Sequence, residues 1–318
     1  MIPPLSREER AVSQSMNAIE TKALSKRFGA LTALDRLSFE VKQGELFGFV
    51  GPDGAGKTTT MRLLSGIMDP TSGEAWVSGH SILKESERIK EKIGYVSQRF
   101  GLYGDLTVLE NLLFYADLFN VPKDELPRRM GRLLGFSNLT PFQNRLAQNL
   151  SGGMKQKLGL ACALIHTPDI LLLDEPTFGV DPISRGEFWQ ILYEFLKEGV
   201  TIFVSTAYMD EAERCHRVGL LHRGKLIACD EPDRLKQTAK EAFFEITSKD
   251  RKRTKQILDT LPVVKGTGLF GDSIHIRLEE RKKLPGVVQN IRDIAGIEVV
   301  AREISPSLED IFISLTQA

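Results

Sequence analysis

Three short stretches hold residues whose types and spacing fit phosphate chemistry. Gly51-Pro-Asp-Gly-Ala-Gly56-Lys57-Thr58 has the spacing of a phosphate-binding loop. Its glycines let successive backbone N–H groups curl around phosphates, while Lys57 and the positive end of a following helix oppose their charge. Thr58 is placed to coordinate magnesium. Ile170-Leu-Leu-Leu-Asp174-Glu175 is an apolar run ending in two carboxylates. There Asp174 can hold magnesium through its water shell and Glu175 can orient or deprotonate an attacking water. The third stretch is Leu150-Ser-Gly-Gly-Met-Lys-Gln156, just ahead of a helical run. Taken alone, Ser-Gly-Gly is a helix cap and turn; Ser151 and the backbone N–H groups beside it also make an anion site.

These residues need a scaffold that presents them together. From Ala18 to about Asp230, short apolar or β-branched runs alternate with longer helical patterns, which predicts an α/β domain around a mostly parallel sheet. Leu46–Val50 reads as a buried strand, with the helix Lys57–Ile67 after the loop; Ile170–Leu173 and Thr201–Ser205 read as two more strands. A polar crossing at 231–240 follows. Beyond it the pattern is strand 243–247, helix 252–261, strands 263–269 and 272–278, helix 283–295 and strand 297–303, a βαββαβ or ferredoxin-like order. A short helix, 308–315, closes the chain. The domains expected are therefore a disordered extension at 1–16, with Met16 as a second candidate start, a nucleotide-binding domain at 17–235 and an accessory domain at 241–318, either a dimerisation clasp or a plain packing domain.

The phosphate loop alone leaves kinases, GTPases and motor proteins open. With the Leu-Ser-Gly-Gly peptide placed between it and Asp174, the sequence resembles the ATP-binding cassette family over roughly 19–230. The resemblance implies a P-loop cassette with a parallel-sheet core and a helical subdomain. It implies that ATP, with magnesium, is sandwiched in a head-to-tail dimer. Gly51, Asp53, Gly54, Gly56, Lys57, Thr58 and Thr59 would hold the nucleotide, and Thr58, Gln98 and Asp174 the metal. Ser151, Gly152 and Gly153 would reach the γ-phosphate held by a second subunit. Glu175 and Gln98 take the catalytic roles. Phe28, in Lys26-Arg-Phe-Gly29, resembles the aromatic residue that stacks on adenine, with a core phenylalanine as the other reading; for Gln98 the other reading is a strand-end amide. Asp181, in Gly179-Val-Asp-Pro182, resembles the aspartate that crosses the dimer interface, and turn capping is the rival there.

One position departs from the pattern. Val204-Ser-Thr-Ala207-Tyr-Met-Asp-Glu resembles the switch segment, but Ala207 stands where the family has histidine. A methyl group cannot donate to the γ-phosphate, so near-normal ATP binding and weak hydrolysis are expected. Tyr208 should point to the opposite face of an extended segment. His216 and His222 are taken as ordinary surface or core residues.

Lys plus Arg equals Asp plus Glu at 42 each, and no apolar stretch approaches the length of a membrane span. Neither nucleic acid nor a bilayer-crossing segment is implied. Cys162, Cys215 and Cys229 lie far apart without metal-ligand spacing, which points to inert thiols in a reducing compartment. The ending Ser305-Pro-Ser-Leu-Glu-Asp310-Ile-Phe is similar to that of bacterial type-2 exporter ATPases of the daunorubicin-resistance kind. That resemblance implies membrane permease partners, a homodimer or heterodimer of cassettes, and a peripheral place on the cytoplasmic face of the inner membrane. A groove beside Gln98 would take a helix of the permease, with some of Phe100, Leu102 and Tyr103 exposed. The alternatives are a degenerate nucleotide-binding regulator and a soluble cassette ATPase outside transport.

Overall fold

A computed structural model describes residues 17–99 and 101–316. The expected extension at 1–16 and the groove residue Phe100 lie outside the described residues. Two compact units result, one ending at Cys229 and the other beginning at Asp230. The division falls before the segment 232–237, not after it. That segment, expected to be a plain crossing, is a helix (Pro232–Gln237) that packs on the terminal helix Leu308–Thr316.

In the first unit, β1 (Asn17–Phe28), β2 (Leu31–Lys42), β4 (Ser72–Val77) and β5 (His80–Ser81) form an antiparallel sheet in the order β2-β1-β4-β5. A second sheet has the order β10-β9-β3-β8-β7-β6, with β3 (Leu46–Val50), β6 (Ile93–Val96), β7 (Ile170–Asp174), β8 (Thr201–Thr206), β9 (Arg217–His222) and β10 (Lys225–Asp230). Its core pairs, β6·β7, β7·β8, β8·β3 and β3·β9, are parallel. Every residue of β3, β7 and β8 is buried. That explains why they read as unbroken apolar runs, because a strand covered on both faces has no solvent side to alternate towards. The two sheets meet through four phenylalanines: Phe39 of β2 lies 5.8 Å from Phe47, 5.3 Å from Phe49 and 5.9 Å from Phe203.

Register fixes what the sheet presents. Val50 pairs with Thr206, and Asp174 with Ser205, so β3, β8 and β7 end level with one another. Ligands of such sheets bind at these carboxyl ends. Helix α1 (Lys57–Leu64) follows the loop after β3 and ends three residues before the expected Ile67. The backbone turns left-handed at Gly66, φ +67, which stops the helix.

Between β6 and β7 the chain is mainly helical: α2 (Ser86–Lys92) precedes β6, and α3 (Val108–Leu118), α4 (Leu126–Phe136) and α5 (Gly152–Leu164) follow it. Thr107 and Glu110 form a capping box at the start of α3. Buried Asn111 ties down the turn before it, accepting from Tyr103 N at 3.1 Å and donating to the carbonyls of Tyr103 and Thr107. The end of α5 is tied to the sheet by His166, which stacks on Phe119 at 3.8 Å and reaches Ile93 O at 3.1 Å through Nε2.

The second unit has β11 (Ala242–Ser248), α9 (Arg251–Thr260), β12 (Val264–Phe270), β13 (Ser273–Leu278), α10 (Leu284–Ala295) and β14 (Val299–Ile304), with Pro232–Gln237 as α8 before them and Leu308–Thr316 as α11 after. Its antiparallel sheet runs β12-β13-β11-β14, the ferredoxin-like order expected from the sequence. Phe244, Ile246, Ile274 and Ile276 pack beneath Leu258, Val287 and Ile291. Asp310 caps α11 at Ser307 and pairs with His275 at 3.1 Å.

His166 gives a test of this packing. Burial holds its imidazole down from the usual 6.5 to about 4, and its buried Nδ1 has no acceptor for a second proton. The neutral ring is the folded form, so its contribution is complete above pH 6.5 and is lost as pH falls towards 4. At pH 5 the unfolded chain should take up about one more proton than the folded chain at this ring. A wild-type stability slope between pH 6.5 and 4 no steeper than that of His166→Gln, measured by urea unfolding, would contradict this.

Candidate functional site

The loop after β3 is set by close backbone packing. A Cβ on Gly51 would lie 2.2 Å from Leu221 O, and Gly56, at φ +111, would press one onto Leu34 at 2.5 Å and Ala33 O at 2.8 Å. These two glycines let the loop pass between β9 and β2, and Gly56 starts α1 without a side-chain cap. The first-turn N–H groups of α1 therefore remain available to a phosphate.

Lys57 is buried. Its ammonium donates to Gly51 O at 2.6 Å and Pro52 O at 3.1 Å, and pairs with Glu175 Oε1 at 3.0 Å. Glu175 accepts from Gln98 Nε2 at 2.9 Å through its other oxygen. Its backbone is left-handed, φ +48, an arrangement that costs a residue with a side chain about 1–3 kcal/mol. Its N–H is held to Ser205 Oγ and Ser205 O, both at 3.1 Å. Ser205 also donates to Asp174 Oδ1 at 2.7 Å, and Thr58 reaches the same oxygen at 3.2 Å. The level ends of β3, β8 and β7 thus bring together Lys57, Thr58, Gln98, Asp174 and Glu175. A hydroxyl and a carboxylate at this spacing make an all-oxygen donor set that suits a hard cation such as magnesium.

A cleft of about 580 Å³ includes Lys57, Thr58, Gln98 and Glu175 of this cluster and is lined also by Asp53, Gly54, Thr59, Phe28 and Leu31. Phe28 is 46% exposed, so it is no core residue; Lys26 Nζ lies 5.2 Å from its ring centre.

Other predicted residues do not line this cleft. Ser151 caps α5, accepting from Met154 N at 3.3 Å, and Gly152 is open to solvent. Gly153 is buried: a Cβ there would sit 2.5 Å from Ser184 Cβ, so its missing side chain lets α5 approach α6 (Pro182–Lys197). Asp181 caps α6, accepting from Ser184 N at 2.9 Å, and that bond holds its carboxyl below the usual range. Ala207 is exposed just beyond β8. Tyr208 beside it has the Arg185 guanidinium 4.5 Å over its ring.

Sequence reasoning did not single out Glu211. Its carboxylate is fully buried and accepts from Thr177 Oγ1 and, at 2.7 Å, from Thr206 Oγ1; Arg185 Nε lies 3.6 Å away. It joins the segment after Glu175 to the one that carries Ala207. A lone glutamate in a short helix, Met209–Ala212, gives no sign of this, because its partners come from two other parts of the chain.

Comparison with known proteins identifies the family. The family profile of ABC transporters matches residues 34–178. The probable multidrug ABC transporter ATP-binding protein YbhF of Escherichia coli is 44% identical over 303 residues, which are 93% of this chain but 52% of that protein. The chain thus spans about half of YbhF. The Nod factor export ATP-binding protein I of Paraburkholderia xenovorans is 35% identical, covering 94% of this chain and 97% of that one. Among solved structures, the dimeric post-hydrolysis state of the ATP-binding cassette MJ0796 bound to ADP and Pi superposes with a TM-score of 0.62 at 27% identity, over 67% of this chain and 98% of that one.

Two expectations test the packing. Gly153→Ala should lower stability by about 1–3 kcal/mol through overpacking against Ser184, whereas Gly152→Ala should change it by less than about 0.5 kcal/mol. Equal urea midpoints for the two would show the close approach to be unimportant. Glu211→Ala, which leaves the Thr177 and Thr206 hydroxyls without their acceptor and Arg185 with Asp210 alone, should cost about 2–3 kcal/mol. A loss of under about 1 kcal/mol would remove Glu211 from the scaffold described here. By these relatives and this fold, the chain belongs to the ABC transporter family.

Proposed function

We propose that the chain is the nucleotide-binding subunit of an ABC exporter, which binds ATP in the Phe28–Lys57 cleft and drives separate membrane permease subunits. The observation that carries this reading is the five-residue cluster at the level strand ends, where Lys57 pairs with Glu175 at 3.0 Å. An arriving triphosphate offers Lys57 a stronger anionic partner. As the ammonium turns to it, Glu175 is released towards the attacking water, with Gln98 still holding one of its oxygens. Phe28 offers its exposed face to the adenine. Magnesium, held by Thr58, Asp174 and Gln98, would offset the charge of the phosphate oxygens.

Ser151 and Gly152 are exposed and do not line the chain's own cleft, so they are available to the cleft of a second cassette, as a head-to-tail dimer requires. Asp181 lies at the same surface, beside Gly153. The relative MJ0796 is dimeric. The partner is a second copy or a different cassette.

Permease contact is assigned to the surface beside Gln98. Tyr103 is 47% exposed and packs edge-on against Phe114 at 4.8 Å; Phe114 and Leu118 are exposed as well, and Leu102 is half-buried. No helix among the described residues is long and apolar enough to cross a membrane. Relatives named as transporter ATP-binding proteins support a peripheral place on the cytoplasmic face, beside permease subunits that form the pore.

At Ala207 the site lacks a donor to the γ-phosphate, and losing one such donor slows turnover by about 10²–10³. Purified chain should therefore bind ATP well and hydrolyse it slowly, and Ala207→His should raise turnover at least about tenfold. Equal turnover in both, with ATP binding intact, would mean that another group fills this role. Lys57→Ala should abolish ATP binding in either background. A regulator that never hydrolyses ATP differs from this reading only if Ala207→His is also inert.

A further inference from the structure

The turn between β9 and β10, His222-Arg223-Gly224, is fastened to both walls of the nucleotide cleft. Gly224 N donates to Ala55 O of the phosphate loop at 2.9 Å, and Asp35 N donates to Gly224 O at 2.8 Å. A side chain on Gly224 is excluded, since its Cβ would lie 2.6 Å from Ala33 O. Arg223 itself has φ +48, a left-handed backbone that arginine seldom adopts. The conformation is held by the two backbone bonds of Gly224 that follow it, and the Arg223 side chain lines the cleft with Phe28 and Leu31.

Charge makes this placement informative. The neighbouring cations are engaged: Lys225 pairs with Asp35 at 3.4 Å and Arg36 with the same carboxylate at 3.6 Å. Arg223 is exposed, and among the described residues no carboxylate lies within ion-pair distance of it. An unpaired guanidinium, set by a strained backbone on the wall of a cleft that takes an anion, is placed for a charge-assisted contact with that anion. Arg223 lines the same cleft as Lys57, Thr58 and Phe28, and its neighbour Gly224 bonds Ala55 and approaches Ala33, two further residues of that lining.

We propose that Arg223 is a nucleotide-affinity residue whose guanidinium binds the phosphate nearest the ribose, at the opposite end of the phosphate chain from the Lys57 ammonium. The assignment rests on the reading of this cleft as an ATP site. It implies that ADP and AMP share the contact, because both keep that phosphate, and that the base does not matter.

The test is direct binding of ATP, ADP, AMP and GTP to the full chain by calorimetry, comparing wild type with Arg223→Asn and Arg223→Lys. Asparagine tolerates the left-handed backbone, so the fold should survive; lysine keeps the charge. Arg223→Asn should weaken all four nucleotides by a similar factor of about ten, the size of one lost charge-assisted bond, and Arg223→Lys should recover most of it. Unchanged affinity in Arg223→Asn overturns the proposal. So does a loss confined to the adenine nucleotides, which would mean a base contact, or a loss confined to ATP, which would mean a contact with the last phosphate. Lys57→Ala separates the two readings. If it abolishes binding while Arg223→Asn does not weaken it, the cleft is an ATP site and Arg223 has no part in it; if wild type binds no nucleotide, the cleft reading falls as well.

Discussion

A positive charge buried among carbonyls, with one carboxylate to balance it, organises the nucleotide cleft. The Lys57 ammonium has Gly51 O, Pro52 O and Glu175 as partners and almost no contact with water. Ammonium groups are removed from water at a cost of several kcal/mol unless fully paired. The loop must therefore curl tightly enough to aim two carbonyls at its own lysine, and the sheet must deliver a carboxylate at the same level. The first condition accounts for Gly51 and Gly56, whose Cβ atoms would collide with β9 and β2. The second accounts for the strand order, in which β8 separates β3 from β7 and hands Ser205 to both Asp174 and the Glu175 backbone. The same arrangement is poised for exchange, because a phosphate satisfies an ammonium better than carbonyls do.

Much of this was legible in the sequence, and the reason is locality. The phosphate loop, the β7 carboxylates and the Ser151 cap each fit within a few residues, and their spacing reflects a single turn, strand end or helix start. The ferredoxin-like order of the second unit was legible for a similar cause, since each of its elements carries its own period. What was not legible depends on partners distant in the chain. Glu211 takes its meaning from Thr177 and Thr206, and Arg223 from bonds that Ala55 and Asp35 make with its neighbour. The helix at Pro232–Gln237 was passed over because its six residues hold few apolar positions and gain their packing from Leu308–Thr316.

The Leu-Ser-Gly-Gly peptide shows how one motif can serve two physical ends. Gly153 is needed inside the chain, where α5 and α6 come together against Ser184, while Ser151 and Gly152 remain at the surface. The packing glycine lets α5 approach α6 closely two residues after Ser151. Asp181 belongs to the same construction, since it caps the helix against which Gly153 packs. On the proposed head-to-tail reading these surface residues must be held rigidly, and a close helix contact does so without a side chain that would fill the gap.

Ala207 is best understood against its surroundings. If the switch segment had simply decayed, its buried framework should have decayed with it, because an unpaired buried carboxylate is costly. Yet Glu211 keeps both threonine hydroxyls, Thr206 also accepts from Tyr208 N at 3.0 Å, and Arg185 still covers the Tyr208 ring. Exposed Ala207, beside this framework, offers no side-chain donor. Fold and function separate cleanly here: the interior of the segment is held by polar bonds that stability requires, while the residue at its surface contributes nothing to that interior. Replacement of histidine by alanine at such a position removes a chemical group and leaves its platform standing.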